Sequence, residues 1–88
     1  MNTELERLRR EIDATDAVLL EALNRRARCS LEVGRLKAGA GIPVLQPVRE
    51  QALLDSLAAR NTGPLPEEHL RAIYGAILAS SRALQCEP

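Results

Sequence analysis

Residues 3–38 read TELERLRREIDATDAVLLEALNRRARCSLEVGRLKA, and this run decides the fold. Leu5, Leu8, Ile12, Thr15, Leu19, Ala22, Arg26, Cys29, Val33 and Leu36 step by three and four. That spacing keeps one face of an α-helix apolar. Thr3 and Glu6 form a capping box at the start. Nothing breaks the pattern until about Ala38, where Gly39, Ala40, Gly41 and Pro43 end it. The result is a predicted helix of about 35 residues, roughly 50 Å long. Such a helix is too long to stand free in a chain of 88 residues.

The remaining segments are shorter helices. Pro47 suits the first turn of a second one, with Val48, Leu53, Leu54, Leu57 and Ala58 as its apolar positions. Asn61, Thr62, Gly63 and Pro64 form a loop. Pro66 opens a third, with Glu67 and Glu68 favoured at its positive end. Leu70, Ile73, Tyr74, Ile77, Leu78 and Leu84 supply its apolar face. No strand pattern or internal repeat is visible. The fold class is all-α, one domain over residues 1–88.

Composition narrows the function. Twelve basic and twelve acidic side chains cancel, so the chain lacks the basic surface that nucleic-acid binding requires. No apolar run reaches membrane-span length, and no segment reads as a signal peptide. Cys29 and Cys86 have no metal-ligand spacing. Cys29 reads as a small core residue on the apolar row, and a reducing cytoplasm is expected. Tyr74 is the single aromatic residue. A thin aliphatic core of this kind favours oligomerisation.

Charges on the apolar rows point to a ligand. Arg26 falls where an apolar residue belongs, with Arg9 and Lys37 one position beside the same row. A second row, Ile73, Ile77, Ser81, Gln85, turns polar at its end. Glu50 opens the second helix. Singly, each has a plain structural reading: Arg9 solvated, Arg26 snorkelling, Lys37 and Glu50 favoured by helix dipoles. Together they suggest a charged ligand, because burying unpartnered charge is costly. Arg26 and Lys37 lie 11 residues apart, on nearly one face, with about 16 Å of rise between them. Arg9 lies roughly 42 Å from Lys37 along the helix and cannot share its site within one chain. Antiparallel pairing of two long helices would bring Arg9 of one chain beside Arg26 and Lys37 of the other, making two equal sites.

The ordered set of motifs resembles the all-helical class of chorismate mutases. It comprises L-x-x-L-R-x-x-I-D-x-x-D (Leu5 to Asp16), Arg25–Arg26, V-G-R-L-K (Val33 to Lys37), Pro43–Val44, P-x-R-E (Pro47 to Glu50), G-P-L (Gly63 to Leu65) and S-R-A-L-Q (Ser81 to Gln85). The last two look most like the N-terminal mutase domain of bifunctional mutase–prephenate dehydratases. The resemblance implies an intertwined six-helix homodimer. It also implies a Claisen rearrangement of chorismate to prephenate, without cofactor, metal or covalent intermediate. By the same resemblance Arg26, and Arg9 acting in trans, bind the carboxylates. Lys37 contacts the ether oxygen and one carboxylate, and Gln85 donates to the same oxygen. Glu50 holds the ring hydroxyl and Ser81 contacts the ring carboxylate. Arg49 supports the edge, and Val33 and Leu78 are apolar walls. Gln46 stands where the family usually has Asp; it is a poorer helix cap, and the resemblance implies a contact to the substrate hydroxyl through its backbone amide. Chorismate is a small dianion, which suits arginine forks. Its rearrangement needs a held conformer and a stabilised ether oxygen rather than a base. Two rivals stay open: an isochorismate-pyruvate lyase of the same fold, and a non-catalytic helical dimerisation or regulatory module.

Overall fold

The computed structural model describes residues 2–87 as three helices: α1 (Thr3–Ala40), α2 (Pro47–Arg60) and α3 (Glu67–Gln85). The expected capping box is replaced by a cap one residue earlier. The Asn2 side chain accepts from the Leu5 amide at 3.0 Å, and Thr3 lies inside the helix. Asn is at least as good a cap as Thr, and the shift places both Glu4 and Glu6 in the positive first turn.

α1 also ends two residues later than expected. Gly41, at φ +70°, turns the chain into the left-handed region. The Ile42 amide donates to the Lys37 carbonyl at 2.9 Å and the Gly41 amide to the Ala38 carbonyl at 3.5 Å. This is a Schellman closure, which satisfies carbonyls that the last turn would leave unpaired. Pro47 occupies the first turn of α2 as expected. Between α2 and α3, Asn61 Nδ2 donates to the Leu65 carbonyl at 2.8 Å and ties the link together.

α3 is the element both others pack on; among the described residues α1 and α2 do not pack against each other. Arg71 on α3 bridges Glu67 and, on α2, Asp55 at 3.1 and 3.2 Å. Those bonds, Glu67's first, raise the Arg71 guanidinium above its ordinary value.

The core is small and lies between α1 and α3. Leu78 is buried, with the polar pair Ser30 and Ser81 beside it. Gly34 is buried too, because α3 passes directly over it. A Cβ there would stand 2.5 Å from the Gln85 carbonyl oxygen. Elsewhere the apolar rows are bare. Leu8, Ile12 and Leu19 of α1 are exposed, as are Val48 of α2 and Ile73 of α3. Val48 therefore belongs to no apolar contact face within the chain. Cys29 is also exposed rather than a core residue. The single chain covers neither the N-terminal half of α1 nor these positions.

Candidate active site

One cleft of about 350 Å³ opens where the C-terminal half of α1, the start of α2 and the end of α3 converge. Nine of the ten candidate residues line it; Arg9 does not. The helices explain the convergence. Arg26, Ser30, Val33 and Lys37 fall on one stripe of α1, at steps of four, three and four. Leu78, Ser81 and Gln85 form the facing stripe of α3. Gln46, Arg49 and Glu50 enter from the first turn of α2.

A connected set of hydrogen bonds orders the floor. Lys37 Nζ donates to Gln85 Oε1 at 2.7 Å and to the Val44 carbonyl at 3.1 Å. Gln85 Nε2 donates to Ser81 Oγ at 3.2 Å. Ser81 Oγ meets Ser30 Oγ at 2.7 Å in the buried centre. An ammonium can only donate, so the Gln85 amide turns its oxygen to Lys37 and its NH2 away. Lys37 has three N–H donors and uses two; Gln85 Nε2 has two and uses one. One N–H on each side chain is left for a ligand.

The electrostatics are one-sided. Among the described residues Arg26, Lys37, Arg49 and Arg82 face the cleft against one carboxylate, Glu50, for a net charge of +3. Arg82 Nη1 donates to Glu50 Oε1 at 2.5 Å across the α2–α3 contact. Among the described residues no carboxylate pairs with Arg26, Lys37 or Arg49 within 4.0 Å, whereas Arg7 and Arg35 on outer turns of α1 pair with Glu4, Glu11 and Glu32. The outer arginines are paired surface residues, whereas of the cleft cations only Arg82 has a carboxylate partner among the described residues.

Gln46 is the N-cap of α2 and makes no side-chain cap bond, as its chemistry suggests. Arg9 is exposed on the second turn of α1, far from the cleft. Sequence reading passed over three residues. Ser30 carried a signal, as a polar residue on the stripe joining Arg26 to Lys37. Gly34 carried one too, since a mid-helix glycine needs a packing reason. Arg82 carried none, because its partner lies 32 positions away.

The fold and cleft define an all-helical protein with a cationic cleft whose hydrogen-bond donors are concentrated at one end. The chorismate mutase type II family model matches residues 8–86, and the chain belongs to that family. The chain is 34% identical over 86 residues to a bifunctional chorismate mutase/prephenate dehydratase from Aquifex aeolicus, covering 93% of this chain and 24% of that protein. This chain thus spans about a quarter of that relative's length. It is 38% identical over 77 residues to a 4-amino-4-deoxychorismate mutase from Streptomyces venezuelae, covering 85% of this chain and 74% of that one. Its structure is similar to that of the Helicobacter pylori chorismate mutase in complex with prephenate, with a TM-score of 0.86, 34% identity, and coverage of 96% and 91%.

Proposed function

We propose that the chain converts chorismate to prephenate, as a homodimer whose two clefts are each completed by Arg9 of the partner subunit. The observation that carries this reading is one spare N–H on Lys37 Nζ and one on Gln85 Nε2, on two side chains joined by the 2.7 Å bond from Nζ to Oε1. In the rearrangement the ether C–O bond breaks as the enolpyruvyl methylene bonds to the ring. The ether oxygen becomes a ketone oxygen, and no proton or electron enters or leaves. Negative charge grows on that oxygen in the transition state. Two fixed donors aimed at it lower the barrier, and removing one such donor typically costs about 10²–10³ in rate.

The remaining residues bind and orient. Arg26 and the incoming Arg9 fork the two carboxylates. Ser81 and Arg49 serve the ring carboxylate and the rim, and Gln46 offers its backbone amide. Glu50, the lone cleft carboxylate among the described residues, accepts from the ring hydroxyl. Val33 and Leu78 press the apolar skeleton into its reactive conformer. The dimer reading is supported by the bare apolar row of α1, where Ile12 is 59% and Leu19 53% exposed, an area that pairing with a second copy would cover. No described helix is long and apolar enough to cross a membrane. The two free cysteines suit the reducing cytoplasm as its location.

The test is loss of chorismate absorbance with product identification, alongside sedimentation at micromolar protein. Prephenate from a particle of about twice 9.6 kDa supports the reading. Salicylate plus pyruvate would replace it with the lyase, and a folded monomer of full activity would refute the shared site. A second reading is the same rearrangement on 4-amino-4-deoxychorismate, favoured by the Streptomyces relative. Parallel assay of both compounds separates the two.

A further inference from the structure

We propose that Arg82 is a selectivity residue: by pairing with Glu50 it tunes the cleft for a substrate bearing a neutral ring hydroxyl and against one bearing an ammonium at the same place. The inference rests on the functional reading above and deepens it. Glu50 is the only carboxylate lining the cleft among the described residues. It is therefore the group that an ammonium on the ligand would seek. Its Oε1 is already taken by Arg82 Nη1 at 2.5 Å, and the pair is partly buried, with side-chain exposures of 22% for Glu50 and 34% for Arg82.

The pairing has two effects. It leaves the charge at this end of the cleft near zero, so an ammonium finds no net attraction there and meets the positive field of Arg26, Lys37 and Arg49. It also leaves Glu50 Oε2 without a protein donor among the described side chains. A hydroxyl can donate one hydrogen bond to that oxygen without needing the whole charge. The position of Arg82 makes it specific for this task. It is one residue from Ser81 and three from Gln85 on α3, yet it points to α2. It pins the Glu50 carboxylate across an inter-helix contact instead of donating to the floor network.

Direct binding of a substrate carboxylate by Arg82 is a different role with a different signature. Chorismate and its 4-amino analogue share both carboxylates, so loss of such a contact lowers both alike. Loss of the Glu50 pairing acts only at the group that differs.

The experiment compares kcat/KM for chorismate and 4-amino-4-deoxychorismate in wild type, Arg82→Met, Arg82→Lys and the double variant Arg82→Met/Glu50→Gln, each checked for folding by circular dichroism. Binding of both compounds is titrated in parallel. In Arg82→Met the ratio is expected to move toward the amino compound by about tenfold or more, the lower range for coupling between close charges. Arg82→Lys keeps the cation and should hold the wild-type ratio. In the double variant no carboxylate is left to unmask, so the shift should vanish. An unchanged ratio in folded Arg82→Met, or equal loss on both compounds, overturns the proposal while leaving mutase activity standing. A wild type that turns over neither compound overturns the functional reading. The binding ratio then decides the role of Arg82: a shift toward the amino compound upholds it, and no shift or no binding overturns it. Should Arg82→Met fail to fold, Arg82→Gln carries the same expectation, since its amide is uncharged but can still bond Glu50.

Discussion

Gly34→Ala tests the close approach of α3 to α1. The added Cβ would stand 2.5 Å from the Gln85 oxygen, 2.7 Å from its Cα and 2.9 Å from its carbonyl carbon. All three are backbone atoms, so no side chain can swing aside. Ordinary contact begins near 3.4 Å, and the end of α3 must retreat by 3.4 − 2.5, about 0.9 Å. Alanine at an unobstructed mid-helix site would stabilise by up to about 1 kcal/mol, while overpacking costs about 1–3 kcal/mol. Backbone contact belongs at the upper end, so the net loss should be about 1–2 kcal/mol per chain. The catalytic effect should be larger. The Lys37–Gln85 bond is 2.7 Å, and a 0.9 Å retreat along it would leave 3.6 Å, beyond hydrogen-bond range. A displacement of that size can lower kcat by about 10². Stopped-time assay of prephenate formation and thermal melts at matched concentration measure both effects. Gly39→Ala is the control: a Cβ there meets nothing within 4 Å, so it should raise stability by about 0.5–1 kcal/mol with kcat unchanged. A Gly34→Ala protein as active and as stable as wild type would refute the close approach and the placement of Gln85 with it.

Three further outcomes are expected. Arg9→Ala and Lys37→Ala should each be nearly inactive alone, yet regain activity on co-refolding, because one cleft of each heterodimer then holds both wild-type residues; confirmed heterodimers without recovery would remove Arg9 from the partner's site. Gln46→Asp should raise stability by about 0.5–2 kcal/mol per chain, as Asp can bond the free amides of α2 where Gln46 makes no cap bond; an unchanged melting midpoint would contradict it. Gln85→Glu should become more active as pH falls. The ionised carboxylate keeps the bond from Lys37 but has no N–H for the ether oxygen, and only its protonated form donates. The ammonium bonded to this position favours the charged form and partial burial the neutral one, and the expected outcome is the direction: activity rises as pH falls. Wild-type activity of this variant at pH 8 would place the ether-oxygen donor elsewhere.

Much of this arrangement was legible because its signals are local. A three-and-four apolar step, an Asn or Thr before acidic residues, Gly41 and Pro47 each act within a turn of chain, where one backbone hydrogen bond spans four residues. The small errors had the same local character. Asn2 outcompeted Thr3 as a cap one position away, and Gly39 stayed helical because Gly41 could take the left-handed turn instead. Cys29 and Val48 were misjudged for another reason. An apolar position shows that a residue can be buried, and only a neighbouring surface decides whether it is.

The sequence by itself determined three helices, their approximate ends and a stripe of cations on α1, together with motifs that resemble a known family. Only the tertiary structure decided which side chains meet. Lys37 bonds Gln85 across 48 residues and Arg82 bonds Glu50 across 32. The first depends on how far α3 slides along α1 before Gly34 lets the two backbones close, and the second on how α2 lies against α3. That register comes from the fit of whole helix surfaces, which no window of a few residues contains. Arg26 and Lys37 share one cleft, and are not two isolated cations, because the end of α3 and the start of α2 converge on their stretch of α1.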